Sequence, residues 1–497
     1  MELSIEQQIS FDKYIRGENI FITGPGGSGK SAIIKKIYHD ATSRGKCIQV
    51  CALTGCAAVL LNCKAKTLHS WAGIGLGNGT IEELIRRIKA NKYAKAAWNE
   101  TQIIVVDEVS MMSLKLFNLL NTIGKIVRKN PKPFGGIQVI FSGDFYQLPP
   151  VGNKDDLDSS RFCFESEDWD LVFHRSNQIQ LKKIFRQTDE LYANILNQIR
   201  EGKIKKKSNN ILLQYVGREY EADLITEPTK LFPTKNKVEN INNSKMTELV
   251  GEEREYEMKY VKDVEMTKAE KLLRLSFSET EIQVELDYLA GNLICDKTMK
   301  IKIGCQVMSV VNLQSDKGLD ICNGSQGIVV GFCECTKCPI VKFNNGVKIV
   351  MTRHTWTSEK IPGIGITQVP LILAWALTIH KSQGATMDAA EIDIGSGIFE
   401  CGQTYVALSR VKSLNGLYLT SYDATRIRIN RKVQLYYDAL TTYQEEEKEE
   451  KEEKKPLSES ETELKEENYD DNDRDNDKDK DSDRDKDKGL IKVIKLR

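Results

Sequence analysis

The stretch FITGPGGSGKS, residues 21–31, decides how the rest of the chain is read. An apolar run stops at Gly24, a glycine-rich turn follows, and SAIIKKIYHDATSRG continues with helical texture. Strand, glycine turn and helix in that order are the setting of a phosphate-binding P-loop, and GPGGSGKS (24–31) matches its pattern. Gly24, Gly26, Gly27, Ser28 and Gly29 let backbone N–H groups turn inward around a β-phosphate, at the positive end of the helix. Lys30 reaches the β- and γ-oxygens, and Ser31 is suited to ligate Mg²⁺. An accidental glycine turn is the bland alternative, and the flanks argue against it.

Working outward, CIQVCAL (47–53), IIVVDE (103–108) and VIFSGD (139–144) are further short apolar runs, with helical patterns between them. Such runs suit a parallel sheet covered on both faces, which makes residues 1–190 an α/β domain. The acid pair of VVDEVS lies at a strand end, where this class of fold builds its sites. Asp107 is expected to hold Mg²⁺ and Glu108 to polarise the attacking water. Two acids can also simply stabilise a helix start, but beside a P-loop that reading loses ground. In VIFSGDFYQLPPV (139–151), Gln147 leaves the next strand between an aromatic pair and two prolines that limit its mobility. An amide there can sense a γ-phosphate; capping a nearby backbone group is its bland role.

Arg186 in QLKKIFRQ and Arg410 in YVALSRV stand near the ends of two α/β segments. A cation supplied across a domain cleft stabilises charge during phosphoryl transfer and ties hydrolysis to cleft closure. TIHKSQGAT (378–386) places Thr378, His380, Lys381, Ser382 and Gln383 after the buried run LILAWAL, as donors for nucleic-acid phosphates. Thr54 of TGCAA, with His69 and Trp71 of TLHSWAG, are the counterparts in the first half. Taken singly, each aromatic or histidine is more ordinarily a core residue; their repetition after strands favours binding to a strand.

The 497 residues carry 71 basic and 71 acidic side chains, a balance that hides a split. Residues 445–497 hold 22 acidic and 14 basic groups, leaving residues 1–444 near +8, which permits a nucleic-acid partner. The low-complexity tail, 444–497, has too few apolar residues to fold alone. Its first turns, EEEKEEKEEKK, can extend a helix through i,i+4 pairs; its basic, apolar end LIKVIKLR is a candidate docking peptide for a protein partner, with a frayed end as the plainer reading. The second α/β segment spans 191–443, with 248–290 ambiguous. Short strands and turn signals over about 300–372 predict a small β-barrel insert. Twelve cysteines without a disulfide-like frame point to a reducing compartment. Cys333, Cys335 and Cys338 have metal-like spacing that Cys322 or His354 would have to complete; a reduced turn between strands is the plainer reading. MELSIEQQIS lacks the features of a secretory or mitochondrial address, and no run has membrane-spanning length, so an intracellular protein is expected.

Taken in order, these motifs resemble superfamily-1 helicases, and most closely the Pif-type DNA helicases related to RecD. VSMMSLKLFNLLNTIGKIVRKNPKPFGGIQVIFSGDFYQLPPV resembles the family's signature region, and QVPLILAWALTIHKSQGATMD and FECGQTYVALSRVKSLNGLYL resemble its last two motifs. The resemblance covers about residues 1–443 and is weak over 200–300. It implies two tandem RecA-like domains with ATP and Mg²⁺ in the cleft, an SH3-like insert at 300–372, and a strand-separating element near 60–95. It implies 5′-to-3′ movement on single-stranded or forked DNA by a monomeric motor. G-quadruplexes and RNA–DNA hybrids are among family substrates, and replication, recombination, repair and telomere maintenance among its roles. LSIEQQ resembles the adenine-reading motif, which would put Gln7 on the base, while Gln147 would be the γ-phosphate sensor and Arg186 and Arg410 the fingers. The expected place of work is wherever the DNA is, a nucleus or a viral replication compartment. Trp71 departs from the family's usual Phe, and Tyr146 from its Phe or Leu. A RecD-like translocase that unwinds little and a non-catalytic DNA-binding scaffold are the competing readings, the latter opposed by the intact set of site residues.

Overall fold

The computed structural model describes residues 3–453, apart from 55–56, 59–60, 62, 76, 78, 153–155, 222–224, 312, 314–320, 322 and 359–360. LIKVIKLR, most of the tail, and Cys322 therefore lie outside the described residues. The chain separates into Met1–Tyr443 and Gln444–Arg497.

The P-loop run becomes β1 (Ile20–Thr23), joined by β2 (Ile48–Ala52), β3 (Lys66–Thr67), β4 (Ile103–Asp107), β5 (Gln138–Gly143) and β6 (Gln178–Gln180). All pairings are parallel, in the order β3-β2-β4-β5-β1-β6. Because β4, β5 and β1 are neighbours, the three motifs that follow them emerge side by side at one edge of the sheet. Ser4 and Gln7 form a capping box at the start of α1 (Ile5–Ile15). The P-loop feeds α2 (Lys30–Ser43), whose N-cap Gly29 is left-handed and carries no side-chain cap.

A second parallel sheet is built from β7 (Thr229–Phe232) with Ala376–Thr378, Ala390–Ile394 and Leu417–Tyr422. Two parallel sheets of this kind, each covered by helices, are the two RecA-like domains. Between their strands lies a five-stranded antiparallel sheet containing Gln306–Ser309, Gln326–Phe332, Pro339–Phe343, Lys348–Val350 and Leu371–Leu373. Smaller antiparallel sheets begin earlier than the expected insert, at Arg254–Glu257 and Lys259–Val261. The ambiguous stretch 248–290 also forms helices Lys268–Arg274 and Glu279–Asn292, each opened by a capping box.

LILAWALTI, a single apolar run in sequence, is two strands in two sheets. Leu371–Leu373 pairs with the antiparallel insert and Ala376–Thr378 with β7. The break is fixed at Ala374, whose carbonyl accepts from Thr229 Oγ1 at 2.6 Å and Gln306 Nε2 at 2.9 Å. The last helix, Arg431–Glu453, does carry the EEEKEEKEE run. Its Val433, Tyr437 and Leu440 pack in the first sheet's core, beside Phe21, Phe141, Phe145 and Trp169. No helix among the described residues is long and apolar enough to cross a membrane.

Candidate functional site

Two P-loop glycines are required by what surrounds them. Gly27 and Gly29 both have φ +83°; a Cβ on Gly27 would lie 2.4 Å from Arg186 Cβ, and one on Gly29 2.4 Å from Gln7 Nε2. Lys30 Nζ donates to the Gly24 and Pro25 carbonyls at 2.7 and 3.0 Å, and burial pushes its pKa down. The Ser28 hydroxyl is buried without a hydrogen-bond partner. Gln7 spans α1 and the loop: its Oε1 accepts from the Ser4 N–H at 3.0 Å, and its Nε2 donates to the Gly29 carbonyl at 3.3 Å.

At the end of β4, Asp107 is 6 % exposed and accepts from the Glu108 N–H at 3.0 Å. Burial lifts both carboxyls above their ordinary range, and the charge of Asp107 lifts Glu108 further, while Lys30 and Arg410 oppose the rise. Arg186 Nη1 donates to the Ser409 carbonyl at 3.2 Å, and Arg410 Nη2 to Ser409 Oγ at 2.7 Å. Arg410 also donates from Nε to the Val406 carbonyl at 2.8 Å. Burial pushes Arg410 down to about 9, reinforced by the like charge of Arg186 and opposed by Glu108. Burial likewise lowers Arg186. Two guanidiniums near each other and near one carboxylate, with no ion pair to either among the described residues, form a cationic pocket matched to phosphate. Gln147 follows β5, 5 % exposed, its N–H donating to the Asp144 carbonyl at 2.8 Å.

The TIHKSQG segment lies across from the acids. His380, Lys381, Gln383 and Gly384 line the same cavity as Ser31, Thr54, Asp107 and Glu108. A second cavity is bordered by Thr54, His69, Tyr93 and Tyr288. Two of the expected strand contacts are buried, although Trp71 also lines that second cavity. Trp71 is 2 % exposed, packs on Trp98 at 4.5 Å between centroids, and donates from Nε1 to Thr101 Oγ1 at 3.3 Å. The short helix Leu68–Ala72 turns most of the ring inward, with Leu68 and Ala72 buried beside it. Ser382 is fully buried, and its hydroxyl donates to the Ile379 carbonyl at 2.8 Å, closing the turn rather than offering a donor outward. Thr378 accepts from the Lys381 N–H through Oγ1 at 3.1 Å.

A PIF1-like helicase family model matches residues 2–210, and a model of the 2B domain of DNA helicase Pif1 matches residues 286–332. The ATP-dependent DNA helicase RRM3 of Saccharomyces cerevisiae is 32% identical over 521 aligned residues, covering 88% of this chain and 68% of its own. The chain belongs to the PIF1-like helicase family. The ATP-dependent DNA helicase PIF1 of Danio rerio is 34% identical over 442 residues, 88% of this chain and 64% of its own. The chain thus spans about two thirds of the length of these helicases. A crystal structure of Bacteroides Pif1 helicase with ADP-AlF3 and ssDNA matches with a TM-score of 0.58 at 28% identity, covering 89% of this chain and 98% of that one.

Several groups of this PIF1-like site were not read from the sequence. Tyr405 accepts from the P-loop amide of Gly26 at 2.7 Å, and burial pushes its hydroxyl up to about 12. The Phe185 ring lies against Gly29 beside Gln7, and its N–H donates to the Gly27 carbonyl at 2.8 Å. Asp144 meets Arg200 through two hydrogen bonds of 2.9 and 2.7 Å, the pair being 0% and 5% exposed. Arg200 also lies over the rings of Tyr146 and Tyr437, which stack at 4.8 Å. The Tyr437 hydroxyl accepts from the Phe145 N–H at 3.1 Å and is hydrogen-bonded to Thr23 Oγ1 at 2.5 Å. The acid and aromatics of GDFYQ therefore tie the P-loop strand, helix Glu190–Arg200 and the last helix into one buried knot.

Hard oxygens from Ser31 and Asp107 line one cavity, and the cationic pocket and unpartnered Ser28 hydroxyl adjoin them, so the donors fit Mg²⁺ with a nucleotide phosphate. The three-cysteine run is a turn between antiparallel strands, with Cys333, Cys335 and Cys338 as free thiols. Among the described residues no three His, Cys, Asp or Glu side chains form a metal cluster.

Proposed function

We propose that this chain is an ATP-dependent DNA helicase that couples ATP hydrolysis to 5′-to-3′ movement on single-stranded DNA and to duplex unwinding. The observation that carries this reading is one cavity of about 720 Å³ whose lining runs from Ser31, Asp107 and Glu108 to Thr54, His380 and Lys381. A site for hydrolysis and donors for a strand share one wall.

In this reading the P-loop amides and Lys30 cradle the phosphates, Gln7 reads adenine, and the Phe185 ring packs on the base. Glu108 accepts the proton of the attacking water, its raised pKa matching it to that task. Arg186 and Arg410 offset charge developing on the transferred phosphoryl group, and Gln147 senses the γ-phosphate. Ser31 and Asp107 would hold Mg²⁺, which when bound neutralises phosphate charge. Thr54, His69, Thr378, His380 and Lys381 contact the strand. The motor works as a monomer where DNA is copied or mended, in a nucleus or a viral replication compartment. Forked DNA, G-quadruplexes and RNA–DNA hybrids are its candidate substrates, and the tail recruits a protein partner. The name shared by the relatives, ATP-dependent DNA helicase, and the strand bound by the bacterial neighbour support the reading.

The test is ATP hydrolysis by the full chain with and without a single-stranded oligonucleotide, beside Lys30→Ala. Stimulation that is absent in the variant supports a DNA-coupled motor. A rate indifferent to DNA overturns it.

A further inference from the structure

Gln383 belongs by sequence to the strand-contacting segment and lines the shared cavity with His380 and Lys381, yet its side chain is engaged by the hydrolysis site. Its Nε2 donates to Glu108 Oε2 at 3.1 Å across 275 positions of sequence. Glu108 is held for this contact by a left-handed backbone, φ 57°. The turn that carries Gln383 is closely tied together. Ser382 N–H donates to the Thr378 carbonyl at 3.1 Å, and Gln383 N–H to the His380 carbonyl at 3.2 Å. With the Ser382 hydroxyl on Ile379 and the Lys381 N–H on Thr378, the segment is tied into one piece. His380 and Lys381, exposed, stand on the same piece and line the same cavity.

From this we infer that Gln383 is a positioning residue that holds the Glu108 carboxylate idle until a nucleic-acid strand engages the turn. The inference rests on the helicase reading above and supplies its coupling step. A carboxylate oxygen that accepts the amide of Gln383 has less capacity to accept the proton of an attacking water. Strand phosphates drawing on His380 and Lys381 shift the tied turn, and with it the amide, so Glu108 is released to the water. No covalent bond is made or broken by Gln383 itself; it changes only which donor the carboxylate faces.

The test compares kcat for ATP, basal and at saturating single-stranded oligonucleotide, in the full chain and in the Gln383→Met and Gln383→Ala variants. Oligonucleotide affinity is measured alongside, and thermal unfolding checks that each variant is folded. Gln383→Met nearly keeps the volume and removes the donor. The expected result is a basal kcat raised about tenfold, the scale of one hydrogen bond to a charged acceptor. The stimulated kcat is little changed, so the stimulation ratio falls while strand affinity and the KM for ATP hold. A rise in an unstimulated rate is not what a damaged fold gives. An equal fall in both rates with the ratio kept would make Gln383 a support for the base, and the inference fails. Weakened strand affinity with an unchanged ratio at saturation would make it a strand contact, and the inference fails equally. If the parent chain itself is not stimulated by the oligonucleotide, the helicase reading has failed first.

Discussion

Glu108 shows most directly how position makes chemistry in this chain. A non-glycine residue at φ 57° is strained, and here it carries the acid that faces Lys30, Arg410 and Gln383. Glu108→Gln keeps the shape and removes the proton acceptor. It is expected to bind ATP as the parent does and to lose about 10²- to 10⁴-fold in turnover, read by single-turnover hydrolysis. Turnover within a few-fold of the parent would remove Glu108 as the base. Trp71 makes the opposite case, a residue whose sequence position suggested a strand and whose surroundings are a core. Trp71→Phe should cost about 1–3 kcal/mol of stability, by lost volume against Trp98 and the lost bond to Thr101, and leave oligonucleotide affinity unchanged. Lys30, Asp107 and Glu108 were legible because P-loop and acid-pair chemistry is local in sequence. The burial of Trp71 and Ser382 was not legible, because it depends on which way a short helix or turn is rotated, and a motif does not state that.

At the scale of elements, the segment after β5 explains its own composition. Asp144 pairs with Arg200, Tyr146 stacks on Tyr437, and the Phe145 N–H finds the Tyr437 hydroxyl. Each partner comes from another element, the nearest 56 residues away, so the sequence showed an acid and two aromatics without showing their use. The strands and the P-loop helix were legible from apolar runs. The split of LILAWALTI was not, because the carbonyl that breaks it is held by Thr229 and Gln306 from far along the chain. The helices within 248–290 could have been found from their capping boxes, TKAE and SETE. Asp144→Asn leaves Arg200 buried without its counter-charge. It should destabilise the chain by about 3–5 kcal/mol in urea titration. Tyr437→Phe removes one hydroxyl with the ring in place, and should cost about 1–2 kcal/mol. If the first change costs no more than the second, the ion pair is not what joins these elements.

For the whole molecule, charge is arranged by segment, and the zero total conceals it. Residues 1–444 are near +8 and residues 445–497 near −8, so net charge says nothing about affinity for a strand. What counts is the local set of cations around the shared cavity, Lys381 and Lys412 among them. Lys412 already donates to Asp388 Oδ1 at 2.6 Å, which leaves Lys381 the freer to neutralise a phosphate. Each strand phosphate so neutralised releases counterions, and the logarithm of affinity should fall with the logarithm of salt by about 0.7 per contact. The full chain, neutral overall, is therefore expected to bind a single-stranded oligonucleotide with a clearly negative salt slope. Lys381→Ala should weaken binding at low salt and make that slope shallower by about 0.7, equally for oligonucleotides of different sequence. Fluorescence anisotropy across a salt series reads both quantities. An unchanged slope in the variant would take Lys381 off the strand, and a flat slope in the parent would take the strand out of the cavity altogether.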